Sequence, residues 1–74
     1  MEEQLQKVFR ESFGIDELSD EMSYENVKQW DSMGHVGLVM ALQKEFGCSI
    51  PPVDAIELTD IRAIKAFLKE HGVT

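Results

Sequence analysis

The sequence has little of what ties a short chain together covalently or carries it through a membrane. It holds one cysteine in 74 residues, so no disulfide can close within it, and a lone thiol suits a reducing compartment. No apolar run approaches the roughly 20 residues that a membrane span needs. Basic residues are scarce, with 7 Lys and Arg against 14 Asp and Glu and a net charge of −7. Much of the excess is local: Glu11, Asp16, Glu17, Asp20, Glu21, Glu25 and Asp31 share their stretch with Lys28 alone. Such a field repels phosphate backbones and anionic lipid and attracts basic protein partners, which argues against nucleic acid or a membrane as partner. The opening MEEQLQKVFR has no basic stretch followed by an apolar one, so no secretion signal is read and a cytoplasmic location is expected. A domain this small buries only about 60% of its unfolded surface. It can build one thin core, but hardly a deep catalytic pocket.

What is present is helical periodicity. Leu5, Val8, Phe9 and Phe13 form one stripe of a first helix that Gly14 should end. Residues 15–31 lack a sustained period and read as a long acidic loop, held down by Ile15, Leu18, Tyr24, Val27 and Trp30. A second helix is predicted from about Ser32 to Phe46, with Gly47 at its C′ position and Pro51-Pro52 forbidding continuation. Val53 to Glu57 can form one short helical turn. Thr59 or Asp60 can cap a last helix with Ile61, Ile64, Phe67 and Leu68 facing inward. No strand-like alternation appears. The pattern predicts a small helical bundle with Phe9, Leu38, Leu42, Phe46, Ile50, Ile64 and Phe67 largely buried.

The second helix carries two apolar stripes. Leu38, Val39, Leu42 and Phe46 fall on one side with His35 among them; Met33, Val36 and Met40 fall on the other, joined by Gly37 and Lys44. A surface helix needs one buried stripe. The methionine stripe is therefore covered by the long loop or left open to a partner, and Met33 and Met40 are expected to be more exposed than the core residues. Glycine inside a helix costs ~1 kcal/mol relative to alanine. Gly34 and Gly37 are expected to keep the methionine side low, so that another surface can approach closely.

Asp31-Ser32 stands at the head of this helix. Taken alone it is an ordinary helix start, with Ser32 as the expected cap. A helix N-terminus also presents unpaired N–H groups and partial positive charge, which favour a phosphodiester on an accessible serine. The sequence resembles the acyl carrier and peptidyl carrier proteins, whose signature is Asp-Ser-Leu or Asp-Ser-Met at the head of helix two. Here it reads Asp31-Ser32-Met33, and the likeness runs on through GLVMALQKEFGCSIP and LTDIRAIKAFLKEHG. The resemblance implies an all-α four-helix bundle spanning residues 1–74 as one carrier domain, with a long loop between helices one and two and a short third helix. It implies that Ser32 carries 4′-phosphopantetheine, delivered from coenzyme A by a Mg²⁺-dependent phosphopantetheinyl transferase. The arm's thiol then holds acyl or aminoacyl groups as thioesters for loading enzymes and downstream synthases, while the monomeric carrier catalyses nothing. By motif, Asp31 would meet basic groups of the transferase and Met33 would be an apolar contact beside the arm. Gly34, Gly37, Gln43 and Lys44 stand where fatty-acid carriers are usually acidic, and so does Ile56 on helix three. An apolar docking side with Met33, Gly34, Gly37, Met40 and Ile56 resembles free-standing carriers of specialised pathways, such as polyketide, nonribosomal-peptide or surface-glycan assembly.

Other chemistries are poorly supplied. Ser32, His35 and Asp31 do not space into a nucleophile–base–orienter chain. His35 reads as a semi-buried histidine bonded to the loop or to a backbone carbonyl. Cys48 and His71 are isolated in sequence, and no zinc or calcium spacing is present. The rival reading is a helical interaction module that is never modified, using the acidic loop and the Met33/Met40 face.

Overall fold

A computed structural model describes residues 2–71, which form four helices: α1 (Glu2–Phe13), α2 (Ser32–Phe46), α3 (Pro52–Ala55) and α4 (Ile61–Glu70). Each boundary has a local cause. Gly14 turns α1 into the loop at φ 71°, and Gly47 ends α2 in the left-handed region at φ 61°, where a side chain would be strained. Asp60 caps α4 by accepting the Ala63 N–H at 2.7 Å. Pro52 opens α3, and the Gln43 side chain of α2 holds its approach by accepting the Ile50 N–H at 2.9 Å. The short third helix is a little earlier than the expected Val53–Glu57 turn, because proline is pre-set for a first helical position.

The core lies between α1, α2 and α4. Leu5, Phe9, Leu38, Leu42, Ile61, Ile64 and Leu68 are fully buried, with Val8, Trp30, Ile50, Leu58 and Phe67 close behind. Phe46 departs from expectation: it is half-buried at the end of α2, packed against the core rather than within it. The long loop is bolted down at both ends. Gln6 of α1 donates to the Ile15 carbonyl at 3.1 Å and Gln29 donates to the Phe13 carbonyl at 3.3 Å. The Tyr24 N–H donates to Thr59, and the Ile61 N–H to Met22, stitching the middle of the loop to the start of α4. Lys65 of α4 adds ion pairs to Glu2 at 2.6 Å and Asp20 at 2.8 Å. Ile15, Leu18 and Val27 pin the loop as expected, and Trp30 is buried, but Tyr24 stays on the surface, 41% exposed. Its polar tip explains why: the phenol has a partner outside the core.

Candidate functional site

The head of α2 divides its work between two neighbouring residues. Asp31, not Ser32, is the cap: its backbone is extended and its Oδ1 accepts the Gly34 N–H at 2.8 Å, while its carbonyl accepts the His35 N–H at 2.7 Å. Both residue types cap well, but a carboxylate at this end also meets the positive pole of the helix. Ser32 is thereby the first residue inside the helix, exposed, with its hydroxyl not engaged in capping. Its Oγ lies 3.3 Å from the Tyr24 hydroxyl. An exposed hydroxyl at the positive end of a fifteen-residue helix, free of backbone duties, fits a covalently attached phosphodiester.

The family model described as a phosphopantetheine attachment site matches residues 3–68. The chain belongs to the phosphopantetheine-dependent carrier proteins. The cofactor of this family is covalently bound 4′-phosphopantetheine, and its domains are typically carriers rather than catalysts. The surroundings of Ser32 in this carrier agree with that role. Both nitrogens of His35 are already committed. The Trp30 indole N–H can only donate, and it donates to His35 Nδ1 at 2.9 Å; the proton therefore sits on Nε2, which donates to the Ala55 carbonyl at 2.8 Å. No imidazole nitrogen is left to take a proton from Ser32, and the triad reading fails on that ground. His35 is instead a structural joint between Trp30 at the loop's end, α2 and α3. His71 is likewise occupied, stacked on Phe67 with ring centroids 4.0 Å apart and Nδ1 2.9 Å from the Phe67 carbonyl. Among the described residues no group of three His, Cys, Asp or Glu could hold a metal ion, and no helix is long and apolar enough to cross a membrane.

Beyond Ser32 the carrier presents an apolar side. Met33 is 83% exposed, Met40 64% and Ile56 72%, joined by Val36 and Val53. Between α2 and α3 this side is cut by a groove of about 310 Å³, lined by Val36, Val39, Met40, Ile50, Pro52 and Ile56 together with His35 and Ala55. Gly37 belongs here: a Cβ added to it meets nothing within 4 Å. Gly34 does not serve the surface in the way the sequence suggests. A Cβ there would collide with the Gln29 carbonyl oxygen and come within 3.0 Å of the Phe13 ring. Its missing side chain makes room for the protein's own loop, which returns across the head of α2. Sequence reasoning also passed over Tyr24 as a neighbour of the site. The available signal was its hydroxyl, which a purely apolar loop anchor does not need.

Proposed function

We propose that the chain is a single carrier domain, residues 1–74, whose Ser32 receives 4′-phosphopantetheine. The observation that carries this reading is the division of labour at the head of α2, where Asp31 takes the cap and leaves the Ser32 hydroxyl exposed and free of capping. Ser32 Oγ attacks the pantetheine-bearing phosphorus of coenzyme A; the new P–O bond replaces the one to 3′,5′-ADP, and the serine proton leaves to the transferase. The arm supplies a terminal thiol on which acyl or aminoacyl groups ride as thioesters. The protein's own contribution is presentation. The second carboxylate oxygen of Asp31 faces basic groups of the phosphopantetheinyl transferase, and Met33, Gly37, Met40 and Ile56 offer loading and downstream enzymes an apolar footing. That footing, with Gly37 and Lys44 in place of acidic residues, favours partners of a specialised pathway (polyketide, nonribosomal-peptide or surface-glycan assembly) over basic fatty-acid-type partners. Gly34 contributes indirectly, by letting the loop close over the start of α2. The carrier works as a monomer in the cytoplasm, a compartment that suits its single free thiol.

Coexpression with a broad-specificity transferase tests the reading. The wild type should gain the phosphopantetheine mass on Ser32, and Ser32→Ala should gain none while melting as the wild type does, because the cap is elsewhere. Asp31→Ala should instead lose ~1 kcal/mol of stability. A wild-type chain that stays unmodified, yet still binds its partners, would establish the interaction-module alternative.

A further inference from the structure

Tyr24 lies in the loop eight residues before Ser32, and its hydroxyl is 3.3 Å from Ser32 Oγ. Its position is well fixed. The Tyr24 N–H donates to the Thr59 carbonyl at 2.8 Å, and Ser23 pairs with Asp60 across the same junction. The ring stands edge-on to His35, centroids 6.4 Å apart at 80°, and His35 is itself held by Trp30 and Ala55. The phenol is thus presented to Ser32 by the loop, the start of α4 and α2 together. Tyr24 nonetheless remains on the surface and Ser32 is itself exposed, so the serine stays open to an enzyme and its coenzyme.

We infer that Tyr24 is a positioning residue for the modification of Ser32: its hydroxyl sets the serine rotamer before attachment and donates to a phosphate oxygen afterwards. The inference deepens the attachment reading and rests on it. An unrestrained serine on an exposed helix start distributes among three staggered rotamers; a phenol oxygen 3.3 Å away biases it toward the one that faces Tyr24. Attachment places non-bridging phosphate oxygens two bonds from Oγ, within reach of the phenol that now stands beside it. An O–H donor to a charged oxygen makes a shorter and roughly twice stronger bond than one between neutral groups. The neighbouring Asp31 is a carboxylate that accepts and repels; Tyr24 supplies the donor.

The test compares wild type, Tyr24→Phe and Ser32→Ala with coenzyme A and a broad-specificity transferase, following intact mass over a range of carrier concentrations. Tyr24→Phe keeps the ring and its packing, so its melting temperature should match the wild type. Its kcat for modification should fall about 3–10-fold with KM for the carrier unchanged, the size expected from one lost hydrogen bond. In the loaded proteins the ³¹P resonance of the phosphodiester should differ between wild type and Tyr24→Phe. Wild-type kcat together with an unmoved ³¹P resonance would overturn the proposal, and so would a change confined to KM, which would make Tyr24 a transferase contact. Mass gain by Ser32→Ala, or none by the wild type, is a separate failure: it removes the attachment reading and this inference with it.

Discussion

Along α2 the inner and outer sides are comparably apolar, yet they meet different fates. Leu38 and Leu42 are fully buried and Val39 is nearly so, while Met33, Val36 and Met40 stand 59–83% exposed. The two glycines repeat the contrast at one turn's separation. Gly34 is pressed between its own helix and the Gln29 carbonyl; Gly37 faces open space. Apolar content therefore does not say which side of a helix the fold uses. The fold is assembled around one stripe and leaves the second exposed.

That contrast is broken most forcefully at Leu42. Leu42→Ala should cost roughly 2–5 kcal/mol, much of a small domain's stability, whereas Met40→Ala should stay within about 0.5 kcal/mol. Urea unfolding of both variants measures the difference, and equal losses would make the methionine stripe part of the core. The glycines give the next largest effect, with opposite signs. Gly34→Ala should destabilise by about 1–3 kcal/mol, since the obstacle is backbone and cannot swing aside. Gly37→Ala should stabilise by up to ~1 kcal/mol through helix propensity, while slowing transfer to a partner that docks on the methionine side. Gain of stability with unchanged transfer would release Gly37 from any docking role.

The smallest effect sharpens the comparison from the charged seam formed by α1, the loop and α4. The Lys65 hydrogen bond and charge hold the Asp20 carboxyl below its ordinary 3.8, and the bonds to Asp20 and Glu2 hold the Lys65 ammonium above its ordinary 10.5. The lowered Asp20 value stabilises the fold above the ordinary carboxylate range, and that share is lost as pH falls through it. The raised Lys65 value stabilises below 10.5, and its share is lost as pH rises through it. Lys65→Met should therefore melt slightly below wild type at neutral pH. The gap should close in acid and shrink in salt, because both partners are solvent-exposed. The two apolar pairs of variants should keep their differences under the same changes.

Most of the architecture was legible in the sequence because it rests on short-range rules. Apolar spacing marked the helices, and Gly14, Gly47, Pro52 and Asp60 punctuated them. The site was harder. Asp31 and Ser32 are both good caps, and only the bond from the Gly34 N–H decides between them. Gly34's constraint comes from a loop carbonyl five residues earlier that folds back, and Tyr24's partner is chosen by the stitch between the loop and Thr59. Neither has a sequence period. Phe46 sat on the correct stripe but at the C-terminal end of α2, where the core runs out.

Trp30 gives the protein a built-in optical gauge. It is the chain's one tryptophan, 1% exposed, set edge-on to Phe9 at 5.5 Å and lying nearly coplanar beside His35. Its emission colour and intensity depend on that enclosure and on the bond from its indole N–H to His35. Because the same imidazole also holds Ala55, release of α3 from α2 changes the environment of a fluorophore that the sequence already supplies. Stopped-flow fluorescence can then read whether the α2–α3 joint opens during an encounter with an enzyme, in the native chain and without a label.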